Sequence, residues 1–297
     1  MVILGSASRL DYYVRVVTEE ESVGVAWVGF ALSSLPLWLR RAESEWRFGP
    51  GLCRWTQNGR VFRERIEPFW RECEKRGIEL VFLDGPHGAN VDEIVAMLKR
   101  NAEFLQDNKY NPDSPDVRDA IRKTDPRAWW DYNRERTLAL GIGETLDLVR
   151  DALEKQRFDG VFGFSQGGAL AAITAAVLER PALYPSFLRD GKPIHPPLQF
   201  CISVCGFRLI DPVTTRILTP SFKTPIMHIL GEKDTIVPVQ RSKALVALSE
   251  NCRVVRHEGA HIVPLTASWT AFYCDFIENP SFDIRAPVVE AGQISLL

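Results

Sequence analysis

A serine in the string Gly163-Phe164-Ser165-Gln166-Gly167 stands where the chain must turn sharply from a strand into a helix. The short apolar run from Phe158 to Phe164 precedes it, and small residues follow it, among them Ala171, Ala172, Ala175 and Ala176. A serine at such a turn adopts strained backbone angles. Its neighbours must be glycine, because a side chain at Gly163 or Gly167 would strike the strand or the helix. The pattern predicts a nucleophile elbow, with the Ser165 Oγ exposed above a sheet and beside the positive end of a helix. The N–H of Gln166, the residue after the nucleophile, is then placed to receive an oxyanion.

A serine hydroxyl needs a base, and the base needs an acid to orient it. For an elbow of this kind the order along the chain is Ser, then Asp or Glu, then His. Of the five histidines, His87 and His195 lie in Pro- or Gly-rich stretches that do not fit that order. His228 falls inside an apolar strand and reads as a hydrogen-bonded core residue, and His257 closes a strand. His261 follows the final strand, in Glu258-Gly259-Ala260-His261-Ile262-Val263-Pro264. That loop opens over the C-terminal edge of the sheet, where open α/β folds bind ligands. The acid falls best on Asp234, which directly follows the strand Pro225–Leu230, with Glu232 and Asp211 as alternatives.

These residues need a scaffold, and from about Gly51 onward strands and helices alternate, as in a mostly parallel sheet wrapped by helices. Residues 58–76 read as an amphipathic helix ended by Gly77. Residues 78–83 read as a strand, 91–104 as a helix, and 137–156 as the helix leading into the elbow strand. Further strands are expected at 199–205, 225–230 and 252–257, and a last helix at 265–278. Residues 107–131, rich in Pro and Asp and ending near Trp129-Trp130, read as an irregular excursion that walls an acyl pocket with these two indoles.

At 297 residues the chain can bury one large core or two small ones, and its net charge of −2 comes without a basic stripe. Nucleic acid is therefore not expected as a partner. Six scattered cysteines without a Cys-x-x-Cys pair point to reduced thiols in a cytoplasmic protein. The apolar stretch Val23–Leu39 is preceded by three glutamates and interrupted by Ser33, Ser34 and Pro36, so neither a secretory leader nor a membrane span is expected. Residues 1–50 read as an atypical, poorly packed extension, and 51–297 as the folded domain. Gly141-Ile142-Gly143 lacks the third glycine of a dinucleotide motif.

Taken together, GFSQGG, GEKDTIVP and GAHIVP, with TQNGRVF at 56–62, FLDGPH at 82–87 and the Trp129-Trp130 pair, resemble the FSH family of serine hydrolases, a branch of the α/β-hydrolases. The resemblance extends from about Leu52 to Glu278. It implies a three-layer α/β-hydrolase fold without cofactor or metal, and carboxylesterase or thioesterase activity. The substrates it implies are small-molecule or carrier-bound acyl groups, including those of secondary metabolism. Residue by residue it places the nucleophile on Ser165, the acid on Asp234 and the base on His261.

One departure touches the chemistry. The family carries Leu-His-Gly-aromatic-x-Gln-Asn after its first strand, whereas this chain reads Leu52-Cys53-Arg54-Trp55-Thr56-Gln57-Asn58, two residues shorter and without His-Gly. The second oxyanion N–H comes from this loop, and Trp55 aligns with its position. A reading frame carried through an intron boundary accounts for both the altered loop and the unusual first fifty residues. The rival reading is a non-catalytic homologue that binds without turning over.

Overall fold

Two apolar runs in this chain are buried at every residue, and a third at all but its last; together they form the middle of the sheet. The computed structural model describes residues 2–3, 36–40, 58–96, 99 and 113–287. Its main sheet has seven strands: β1 (Val2–Ile3), β2 (Pro36–Arg40), β3 (Glu79–Phe82), β4 (Gly160–Phe164), β5 (Phe200–Val204), β6 (Ile226–Gly231) and β7 (Cys252–His257). The order across the sheet is β7-β6-β5-β4-β2-β3. β4, β5, β6 and β7 are mutually parallel, with Ser203 beside both Gly163 and His228. Covered faces explain why β5 and β6 are buried throughout and largely apolar, whereas the edge strand β7 carries Arg253 and Arg256 and alternates in burial toward its end. β2 runs antiparallel to β4 and β3, and β1 antiparallel to β4. Of the first fifty residues, these two segments are the described ones.

The helices are α1 (Gly59–Arg65), α2 (Glu67–Lys75), α3 (Pro115–Lys123), α4 (Ile142–Lys155), α5 (Gln166–Glu179), α6 (Pro212–Leu218), α7 (Val239–Val246) and α8 (Ala267–Glu278), with a further helical stretch at 91–96. The α/β architecture expected from sequence is the one observed. Three boundaries differ for local reasons. The single helix read over 58–76 is two, broken at Ile66, because Pro68 has no N–H to give and clashes with the carbonyl four residues back. Within the stretch read as irregular, Pro115–Lys123 is helical: Ser114 Oγ accepts the Val117 N–H at 3.3 Å, and Pro115 occupies a first-turn position. The helix read from 137 starts at Ile142 instead. Ala139–Leu140 forms a small hairpin with Asp131–Tyr132, and Gly141 makes the turn at φ +86°.

Helix α5 is buried from Gln166 to Leu178, and its glycines and alanines let it lie close against β4 and β5. An aromatic trio joins α2, β4 and α8: Phe69 and Phe162 have ring centroids 5.2 Å apart, Phe69 and Tyr273 5.1 Å, and Phe162 and Tyr273 5.7 Å. Between the same two helices, Cys73 and Cys274 place their sulfurs 3.7 Å apart as free thiols. No helix among the described residues is long and apolar enough to cross a membrane.

Candidate active site

Ser165 sits between β4 and α5 with φ 56° and ψ −117°. This is the strained conformation an elbow demands, and its cost of about 1–3 kcal/mol is borne by the surrounding packing. The turn is tight enough that a Cβ on Gly163 would lie 1.9 Å from the Gly167 carbonyl oxygen. The Ser165 N–H donates to the Val204 carbonyl at 2.8 Å, tying the turn to the end of β5. The first-turn amides of α5, Gln166 N–H among them, have no partner inside the helix and carry its positive end. The serine is only 1% exposed, not open above the sheet as the elbow alone predicts.

The Gln166 side chain links the elbow to a neighbouring segment. Its Oε1 accepts the Trp129 N–H at 3.2 Å and its Nε2 donates to the Trp130 carbonyl at 3.1 Å, so it ties residues 129–130 over the start of α5. Trp129 and Trp130 are both 1% exposed, and the Trp130 ring meets Phe207 edge to face at 6.4 Å. Both indoles belong to the buried core beside the elbow rather than to the surface. Trp130 Nε1–H is buried without a hydrogen-bond partner among the described residues.

Asp234 leaves the end of β6 in a turn that its own carboxylate closes, Oδ1 accepting from Ile236 N–H at 2.9 Å and Val237 N–H at 2.8 Å. Its Oδ2 lies 2.7 Å from His261 Nδ1, with the two side chains 6% and 7% exposed. Burial pushes the carboxyl up, but the bond and charge of His261, with the two amide donors, outweigh it and hold Asp234 below the usual carboxylate range. This geometry fixes the imidazole with Nδ1 toward the acid. The His261 ring packs on Phe164, the residue before the serine, at 4.7 Å between centroids.

The other candidates are occupied elsewhere. Asp211 caps α6 through Val213 N–H at 2.8 Å and also accepts the Ala139 N–H, while Glu232 is exposed. His228 Nε2 bonds Ser249 Oγ at 3.0 Å, His195 accepts the Phe158 N–H at 2.9 Å, and His257 Nδ1 accepts from Gly259. His87 Nε2 lies 2.9 Å from the Gly141 carbonyl oxygen. Trp55, aligned with the second oxyanion donor, lies outside the described residues. Two participants carry no advance signal in the sequence: the Gln166 clamp, and Cys205, whose sulfur comes within 4.8 Å of the Asp234 and His261 ligating atoms.

The profile of a family described as serine hydrolase (FSH1) matches residues 52–273. Esterase OVCA2 of Danio rerio is 30% identical over 236 residues, which are 76% of this chain and 93% of that protein. A Schizosaccharomyces pombe protein named dihydrofolate reductase is 30% identical over 230 residues, 75% of this chain and 45% of that protein. Among solved structures, Zea mays acyl-protein thioesterase 2 aligns with 54% of this chain and 75% of its own at 18% identity, with a TM-score of 0.36.

Proposed function

The chain belongs to the serine hydrolase (FSH1) family, and from that premise we propose that it cleaves carboxylic esters or thioesters through Ser165, His261 and Asp234. The Ser165 Oγ attacks the acyl carbonyl while His261 Nε2 takes its proton. His261 then protonates the departing alcohol or thiol, leaving an acyl-serine. In the second half a water loses its proton to the same imidazole and displaces the acyl group as the acid. Asp234 keeps the Nδ1 proton in place and stabilises the imidazolium as it forms. Gln166 N–H receives the oxyanion, with Trp55 N–H, at the sequence position of the family's second donor, as its partner.

The observation that carries this reading is the pairing of a left-handed serine at a strand-to-helix turn with a buried, acid-bonded imidazole packed on the preceding residue. Trp129 and Trp130 wall the acyl site, and the unpartnered Trp130 Nε1–H offers a donor to a polar atom of the substrate. A cytoplasmic location belongs to the same proposal, supported by five described cysteines that are all free thiols.

A fluorophosphonate probe tests the proposal directly. The protein should be labelled, and Ser165→Ala should not. The altered 52–57 loop favours the rival, a homologue that binds without turning over, since losing one oxyanion donor costs about 10²–10³ in turnover. That rival predicts no labelling of this chain and strong labelling of a variant with the His-Gly loop restored. Equal labelling of the native chain and Ser165→Ala would overturn the assignment of the nucleophile.

A further inference from the structure

The last residue before the chain leaves β5 is not in a strand conformation. Cys205 has φ 47°, in the left-handed region that a residue with a side chain occupies at a cost. Its backbone is held there from two directions. The Cys205 N–H donates to the Ile229 carbonyl at 2.7 Å, continuing the ladder with β6. The next residue, Gly206, is pressed so close to α5 that a Cβ would meet the Ser203 Oγ at 2.1 Å and the Gly168 carbonyl carbon at 2.9 Å. The turn therefore points the side chain of residue 205 away from α5 and toward the loops that carry Asp234 and His261.

The thiol is buried there and touches both loops. Its sulfur lies 3.8 Å from the carbonyl oxygen of Ile262, the neighbour of His261. The Asp234 carboxylate faces it too, near enough for its negative charge to act on the thiol. Sulfur, carboxylate oxygen and imidazole nitrogen all lie within 4.8 Å of one another. Burial, then the Asp234 charge, push the thiol well above its ordinary range, so the group remains S–H and retains a proton to donate. Strain of this kind persists where surrounding structure fixes it, and it clusters at working sites.

We propose that Cys205 is a positioning residue for the acid–histidine pair, its S–H shared between the Asp234 carboxylate and the Ile262 carbonyl so that the two loops are held in register. This proposal rests on the hydrolase reading above. Cys205 does not meet the substrate; it acts through Asp234 and His261. Because S–H is a weak donor even toward a charged acceptor, such a bond changes turnover by about three- to tenfold.

The test uses three variants of the full chain alongside Ser165→Ala. Cys205→Gly removes the thiol while suiting the positive φ, so it keeps the fold if Cys205→Ala does not. Both should lower kcat on a p-nitrophenyl ester about three- to tenfold with KM unchanged, and should broaden the downfield Nδ1–H resonance of His261. Cys205→Ser, which supplies another donor at the same place, should restore most of kcat and the resonance. Wild-type kcat and resonance in Cys205→Gly, with Ser165→Ala inactive, would overturn the positioning role alone. A kcat loss that serine does not rescue would overturn it too, by showing that packing rather than the donor matters. Activity surviving in Ser165→Ala would instead bring down the hydrolase reading.

Discussion

Asp234 illustrates how one side chain can serve its own loop and a partner loop at once. One oxygen closes its own turn through Ile236 and Val237, and the other holds His261. Asp234→Asn preserves most of that geometry but offers an N–H or a weaker acceptor to Nδ1, so the imidazole settles in the wrong tautomer. The expected result is a loss of about 10⁴ in kcat, by analogy with the same change in the serine protease triad, with KM little altered. Steady-state kinetics on a simple ester would check this, and a loss below tenfold would contradict the assignment. At this scale spacing and order along the chain are what can be read: they point to Asp234 and His261 as partners, and the structure joins these two at 2.7 Å. The sequence is illegible at Cys205. Six cysteines in or near apolar runs look alike in sequence, and only a positive φ and two neighbouring loops, distant along the chain, distinguish this one.

At the scale of elements, the parallel strands are the most readable feature, because strands covered on both faces are largely apolar and the edge strand is rich in β-branched residues. The runs at 200–204, 226–231 and 252–257 fall within or nearly on their expected bounds. Helix α3 escaped because proline and aspartate read as loop formers, when here Ser114 and Pro115 are a cap and a first-turn residue. The bond between α5 and residues 129–130 was also invisible, since it depends on what a glutamine reaches thirty-seven residues away. That link makes a prediction. Gln166→Ala keeps the helix, because alanine is the best helix former, but leaves the Trp129 N–H and the Trp130 carbonyl without the side chain that satisfied them. Losing the two bonds costs roughly 1–3 kcal/mol together. Urea denaturation should show that loss, and stability within 1 kcal/mol of the native protein would mean that the segment is held in place by other contacts.

For the whole molecule, the buried titrating groups set how stability responds to acid. Burial lowers His195 and His257 to about 4 and His228 to about 3, and raises Asp84 to about 7. The unfolded chain binds protons at the three imidazoles near 6.5, whereas the folded chain resists them, so stability falls as pH drops from about 6.5 toward 4. Asp84 opposes this over the same range, because the folded state keeps a proton that the unfolded chain releases. Three imidazoles less one carboxyl leave about two protons, a slope of roughly 2–3 kcal/mol per pH unit. Denaturation midpoints measured between pH 6.5 and 4.5 should follow that slope, and His228→Gln should reduce it by about one proton. An unchanged slope in that variant would show that His228 is already charged in the folded protein.

The Gln166 clamp has one more implication, and it is optical. The backbones of two tryptophans are bonded to the residue that follows Ser165, and their indoles are sealed from water beside the turn. The site therefore carries its own fluorophores, and under the proposed mechanism acylation of Ser165 should change their emission without any added dye.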